Sequence, residues 1–269
     1  MTYRVVQWST GNVGRHAIIG IDARPDLELV GVWVSNPDKV GVDAGRLAGL
    51  DRDLGIAATS DAEALFALAP DCIVHTAWAD DRLFEALADL ERFLRAGVNV
   101  VSSSPVFLQH PEGAVGRELY EGVVAAAEEG GVSLWVNGID PGFANDWLPL
   151  VMTSICERID QVRCMEVLNY ATYDQASVLF DIMGFGQPLD EVPFILSPGI
   201  LTNAWGSVVT QIAAGLDVTL DDIVEWHDRV PAPEAFDVAA GRVEAGTTAA
   251  MRFEVRGMVG GEAKIVLEH

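Results

Sequence analysis

Residues 9 to 14 read Ser9-Thr10-Gly11-Asn12-Val13-Gly14, directly after a hydrophobic run and directly before a helix-like stretch. Two glycines three apart in that setting can do one specific piece of chemistry, which is to hold a dinucleotide pyrophosphate. Gly11 lets the backbone approach the phosphates, Gly14 lets the next helix pack tightly on the strand, and the helix N-terminus faces the negative charge. The same spacing also fits a plain tight turn, and Ser9 stands where the first glycine of G-x-G-x-x-G usually falls. Position favours the pyrophosphate, because the loop follows the first strand of a chain that continues β-α-β.

The end of the second strand, "VSNPDKVG", should choose the cofactor. An Asp or Glu there binds a ribose 2′-hydroxyl, whereas a 2′-phosphate needs donors and positive charge. Ser35 and Asn36 offer donors, and Lys39 is one of two lysines in the chain, Lys264 being the other. A solvated turn lysine is the bland alternative, and Asp38 beside it weakens the charge argument. The expectation is NADP(H), with NAD(H) tolerated. Cofactor and substrate meet outside the C-terminal strand ends. Those ends supply His75, Thr76 and Ala77, then Ser102, then Asn137 and Gly138, although a histidine inside "IVHTA" is more often a core residue bonded to backbone.

Hydride transfer also needs a group that moves a proton. Asp140, Asp146 and Glu166 are the carboxylates expected near the domain junction, and Asp140 stands directly after the fifth strand in "NGIDPGF". Partial desolvation beside Phe143 and Trp147 would raise its proton affinity. Asp before Pro-Gly is equally a common turn opener, in which case the proton comes from water, ammonia or Tyr173. Phe107, Phe143, Trp147 and Trp205 would make a largely apolar substrate lining, with Asn169 and Tyr170 as polar members.

Elements must position these groups. Strand-like runs at 4–9, 27–34, 72–77, 99–103 and 133–136 alternate with helical periods at 13–23, 61–68, 82–96 and 115–129. Short apolar strands between helices imply a doubly wound parallel sheet, a Rossmann domain over residues 1–140. Residues 161–169 and 248–256 read as strands, and Gly260-Gly261 suits a hairpin turn before "EAKIVLEH". A second α+β domain over 141–269, built on an antiparallel sheet, is the economical reading. The apolar late hairpin (Met251, Phe253, Val255, Met258, Ile265, Leu267) must cover its other face or edge, which predicts a two-fold homodimer through that domain.

Composition sets limits. The 269 residues are half hydrophobic and carry 40 acidic against 17 basic side chains, a formal charge of −23. That field repels nucleic acid and anionic bilayers. No apolar run reaches the roughly 20 residues of a membrane span, and no signal-peptide layout precedes the first strand, so a cytoplasmic protein is expected. Cys72, Cys156 and Cys164 lie in apolar contexts without C-x-x-C spacing, which reads as buried reduced thiols and no metal centre.

"WSTGNVGRHAI", "SNPDKVGVDAG", "CIVHTA", "NGIDPGFANDWLP" and "MGFG" together resemble the dihydrodipicolinate-reductase-like superfamily, most closely its branch of 2,4-diaminopentanoate dehydrogenases and native amine dehydrogenases. The resemblance implies a Rossmann domain, an α+β substrate domain that also makes the dimer, and NAD(P)-dependent interconversion of an amine with a carbonyl compound plus ammonia. Three departures accompany it. Ser9 replaces a glycine; the paired histidines and lysine acid of dihydrodipicolinate reductases have no counterpart in His227, His269 or Lys264; and Val106 and Phe107 stand where the branch carries its catalytic glutamate. The last departure keeps a rival reading open, an inactive NADP(H)-binding sensor or dimeric regulator. The final strand stops where such relatives usually continue, which allows for a chain truncated at its C-terminus.

Overall fold

The computed structural model describes residues 1–79 and 82–269. The chain divides into two compact units, residues 1–109 with 116–138, and residues 110–115 with 139–269.

The first unit alternates β1 (Tyr3–Trp8), α1 (Asn12–Asp22), β2 (Leu27–Trp33), α2 (Ala44–Ala48), α3 (Ala62–Phe66), β3 (Cys72–His75), α4 (Leu83–Arg95), β4 (Asn99–Ser102), α5 (Glu121–Gly130) and β5 (Leu134–Val136). All of its strand pairings are parallel, in the order β2-β1-β3-β4-β5. Val5, Val6, Val32, Ile73 and Val100 are buried, as parallel strands under helices require. The order reverses between β1 and β3, and a crevice at such a switch point is where this fold takes its ligands. One helix starts later than its sequence period indicates. Gly116 is extended and a single 3₁₀ turn, Arg117–Leu119, follows it, so α5 begins only at Glu121.

The second unit contains α6 (Trp147–Thr153), β6 (Val162–Met165), α7 (Ile200–Gly215), β7 (Asp222–Pro231), β8 (Phe236–Val238), β9 (Gly241–Val243), β10 (Thr248–Val259) and β11 (Glu262–Glu268). Its main sheet runs β6-β11-β10-β7. β7, β10 and β11 pair antiparallel, and β6 joins the edge of β11 in parallel. The β10–β11 turn is Gly260-Gly261, with φ of +59° and +82°, the left-handed backbone a two-residue hairpin demands. α7 covers one sheet face, burying Leu201, Val208, Val209 and Ile212 against Phe253, Val255, Ile265 and Leu267. No helix among the described residues is long and apolar enough to cross a membrane.

The three cysteines are free, but only Cys72 and Cys164 are partly buried. Cys156 is exposed, which corrects the expectation of a buried thiol there. It lies just past the end of α6, where the chain leaves the packed face and the apolar neighbours Met152 and Ile155 are themselves exposed.

Gly257 of β10 lies under α7. A methyl group there would stand 2.8 Å from the Val209 side chain and 3.0 Å from that of Leu220. Val209 is β-branched and fully buried, so it has little room to yield. Gly257→Ala should therefore lower unfolding stability by about 1–3 kcal/mol. Urea denaturation followed by circular dichroism measures this; an unchanged midpoint would show that the helix lifts freely off the sheet.

Candidate functional site

In the first unit the loop after β1 is held from below. The Gln7 side chain is fully buried, and its amide donates to the Ser9 carbonyl at 2.8 Å, the Thr76 hydroxyl at 2.8 Å and the Trp8 carbonyl at 3.2 Å. Trp8 stacks on Trp33 with ring centroids 4.4 Å apart. Ser9 has φ of +80°, so the serine occupies the left-handed conformation that a glycine would adopt without strain. Gly14 is buried against this turn, and a side chain on it would collide with the Ser9 carbonyl and the Thr76 hydroxyl. Gly11 is different, because nothing lies within 4 Å of where its Cβ would be.

Gly11 is also the N-cap of α1 and offers no side-chain cap. By contrast, the carboxylates of Asp43, Asp61 and Asp146 cap α2, α3 and α6. The first-turn N–H groups of α1 are thus left for an anion, and Asn12 and Val13 are exposed beside them. Lys39 folds onto the same loop, its Nζ donating to the Thr10 carbonyl at 3.0 Å and to Thr10 Oγ1 at 3.1 Å. Ser35 and Asn36 are exposed nearby in sequence, with the Asn36 side chain accepting from Asp38 N. A glycine cradle, an uncapped helix and a cation at its edge fit a dinucleotide phosphate.

The other strand-end residues separate into two groups. The Thr76 hydroxyl donates to the Trp8 carbonyl at 3.2 Å and so belongs to the loop's foundation. His75 is fully buried, with Nδ1 2.8 Å from Ser102 Oγ. Burial, with the Arg82 charge adding to it, pushes the imidazole down to about 4, so it stays neutral. His75, Ser102 and the buried Ala77, whose carbonyl accepts from Ser104 Oγ, form a packed hydrogen-bonded layer below the strand ends. Asn137 and Gly138 are half-buried, and Asn137 N donates to the Ser102 carbonyl. Phe107 is buried in this unit, within the 3₁₀ turn Val106–Gln109.

In the second unit a cavity of about 900 Å³ has Ile139, Leu148, Met152 and Met165 in its wall together with Asp140, Glu166 and His269. Asp140 and Asn145 fasten their turn together, Asn145 Oδ1 accepting from Gly142 N at 2.9 Å. The Asp140 carboxylate accepts from Trp205 Nε1 at 2.7 Å and from Asn145 Nδ2 at 2.5 Å. Asp146, the neighbouring acid, is spent on the α6 N-terminus through Trp147 N. Glu166 Oε2 lies 3.1 Å from His269 Nδ1, and Asp140 Oδ2 lies 3.5 Å from the same nitrogen. Burial, then hydrogen bonding and repulsion from Asp140, push the Glu166 carboxyl up to about 7. Burial pushes His269 down, against the pull of Asp140 and Glu268.

Of the candidate lining residues, Trp205 reaches this cluster, and the Tyr170 phenol is raised by burial, with Glu166, Tyr173 and Asp140 adding to it. Tyr173 packs edge-on against Tyr170, with centroids 5.7 Å apart. Phe143 is exposed and Trp147 opens α6. Asn169 is exposed and caps a 3₁₀ turn through Ala171 N, a local structural task. The sequence alone favours Asp140 over Glu166 and gives His269 no role in the site. The signal for both was strand alternation: Glu166 falls in phase with Val162 and Cys164, and His269 with Ile265 and Leu267.

No family model matches the chain. An amine dehydrogenase from Streptomyces virginiae is 45% identical over 269 residues, spanning 98% of this chain and 73% of that protein. A 2,4-diaminopentanoate dehydrogenase from Acetoanaerobium sticklandii is 28% identical over 185 residues, 64% of this chain and 48% of the relative. The solved amine dehydrogenase of Mycobacterium smegmatis superposes with a TM-score of 0.75 at 22% identity, over 100% of this chain and 78% of that one.

The two loop glycines make opposite predictions. Gly14→Ala should destabilise the first unit by about 1–3 kcal/mol, because the new methyl group must displace backbone. Gly11→Val should change stability by less than about 0.5 kcal/mol, yet weaken NADPH binding by about tenfold or more. Thermal unfolding and NADPH fluorescence titration of both variants measure the contrast; full NADPH affinity in Gly11→Val would remove the loop from the cofactor site.

Proposed function

The chain belongs to the amine dehydrogenase family, and from that premise we propose that it is an NAD(P)-dependent oxidoreductase interconverting a small, largely apolar amine with its carbonyl compound and ammonia. The observation that carries this reading is a cavity whose apolar wall ends in an acid–base cluster, Asp140 and Glu166 beside His269. Such a cluster favours catalysis over the rival reading of an inactive NADP(H)-binding sensor.

The dinucleotide would lie on Ser9–Gly14, with the pyrophosphate over Gly11 and the uncapped start of α1. When bound, the nicotinamide supplies or accepts the hydride. Ser35, Asn36 and Lys39 would take the ribose 2′-phosphate, which makes NADP(H) the preferred form and leaves NAD(H) tolerated. Thr76, Asn137 and Gly138 would border the nicotinamide end, with His75, Ala77 and Ser102 holding them in place. Asp140 and Tyr173 remain the candidate proton-handling groups, and Phe143, Trp147, Tyr170 and Trp205 the candidate substrate lining. The first unit is accordingly the cofactor unit, and the second the substrate unit. The protein acts without nucleic acid or membrane, in the cytoplasm.

The substrate unit also makes a two-fold homodimer in this proposal. The sheet face turned away from α7 carries exposed Val224, Val230 and Trp226, and Arg252 and Arg256 lie over the Trp226 ring at 5.4 Å each. An open face of this kind needs a cover, and a second copy supplies it symmetrically.

Three measurements follow. NADPH oxidation should be seen with some member of a panel of ketones and aldehydes supplied with ammonia; binding of NADPH with no turnover on any of them would sink the proposal. NADPH should bind more tightly than NADH, and Lys39→Ala should erase the difference, whereas a tenfold or greater preference for NADH (about 1.4 kcal/mol) would overturn the assignment of Lys39. Sedimentation at micromolar concentration should give twice the 28.9 kDa chain mass, and a monomer would count against the dimer.

A further inference from the structure

The cluster in the second unit contains more than a single carboxylate can use. One ligand atom each from Asp140, Glu166 and His269 lie within 4.8 Å of one another, the one such grouping among the described residues. Asp140 Oδ1 is saturated by Trp205 Nε1 and Asn145 Nδ2, which turns Oδ2 toward Glu166 and His269. The His269 ring is fixed between Phe253 and Trp205, each with its centroid 4.8 Å away. Both carboxyls therefore meet at a set point within 4.8 Å of one imidazole nitrogen, and carboxylates held this close oppose each other's charge.

We propose that Asp140 and Glu166 act as one acid–base group that passes a single shared proton to and from the substrate nitrogen or oxygen, with His269 as the residue that positions them. The idea rests on the oxidoreductase reading above. In the reducing direction a bound NAD(P)H would supply the hydride to the substrate carbon and be oxidised to NAD(P)+, while the carboxyl pair gives its shared proton to the substrate heteroatom as the C=N or C=O π bond is lost. One C–H bond and one N–H or O–H bond would form, and water would return a proton to the pair. Oxidation of the amine runs the same transfers backwards, with the ionised pair as base.

The titratable groups that face the pair are His269, Cys164, Tyr170 and Glu268, and burial lowers the His269 imidazole. Burial pushes the Cys164 thiol up to about 11, with Asp140 and Asp146 adding to it, and Tyr170 is raised by burial, then by Glu166, Tyr173 and Asp140. Both stay protonated. Glu268, on the neighbouring strand, is neutralised by Arg163 and Arg252. Since the Glu166 carboxyl is raised to about 7, reduction, which needs the proton in place, should weaken as pH rises through that value, and amine oxidation should weaken as pH falls through it.

The decisive readout needs no cofactor. Infrared titration of the wild-type protein should show a protonated-carboxyl band lost near neutral pH, and Glu166→Gln and Asp140→Asn should each abolish that step. In parallel, Glu166→Gln should cut turnover by about 10²-fold with NADPH affinity unchanged, while Glu166→Asp should restore part of it. His269→Asn should displace the pH midpoint of turnover instead of eliminating activity, which a purely structural role would not do. Wild-type protein without a neutral-range carboxyl band, or Glu166→Gln with full turnover in an active wild type, overturns the proposal. Tight binding of Zn²⁺ or Mn²⁺ that Glu166→Gln abolishes also overturns it, because the cluster is then a cation site. Protein that binds NADPH yet reduces nothing overturns the oxidoreductase reading and the catalytic role together, and the infrared step then marks a carboxyl pair without a reaction.

Discussion

The carboxyl–imidazole cluster of the second unit hangs on one strand pairing, the parallel addition of β6 to the edge of β11. Val162 pairs with Ile265, Cys164 with Leu267 and Met165 with Glu268, and the ladder ends with Glu166 N donating to the Glu268 carbonyl at 2.9 Å. Because side chains alternate, this register puts Val162, Cys164 and Glu166 in phase with Ile265, Leu267 and His269 on the face that α7 covers. A slip of one residue would send Glu166 to the opposite face and bring Arg163 into the core. The apolar burial of Val162 against the α7 cluster opposes that slip, so hydrophobic packing fixes where the carboxyl is desolvated.

The two sheet faces show what the alternation does to charge. On the outer face Arg163, Arg252 and Arg256 contact Glu254, and Arg163 and Arg252 also contact Glu268. Guanidinium neighbours hold Glu254 below the ordinary glutamate range despite its burial. On the inner face Glu166 is partly buried beside another acid and the His269 imidazole, and its proton affinity rises. One sheet thus makes a permanently ionised carboxylate and a proton-holding one within a few residues, through neighbours alone.

The first unit relies on a different constraint, the close approach of α1 to the β1 turn. Gln7 is committed to three acceptors beneath the loop, and Gly14 admits the Ser9 carbonyl where any side chain would exclude it. Left-handed strain at Ser9, on the order of 1 kcal/mol, is offset by this support. Rigidity below the loop leaves its outer rim, Gly11 to Val13, exposed and preorganised.

The sequence by itself determined the parallel sheet, its strand spans to within a residue or two, the loop after β1 and the Gly260-Gly261 hairpin, because each rests on local periodicity or on a backbone conformation that few residues adopt. Lys39 and Asp140 stand out in the sequence as single residues at marked positions after strands. The helix α7, which is apolar on nearly every side, offered no face to read, and the irregular segment before it offered no period. Only the tertiary structure decided that Asp140, Glu166, Trp205 and His269 meet, since their separations in sequence are set by the β6–β11 pairing and the docking of α7. It also decided which carboxylates serve as caps and which are desolvated, and Asp146 and Asp140, six positions apart in one segment, take opposite roles. Proton affinity depends on the groups that folding brings within a few ångströms, and that information is in no single stretch of the chain.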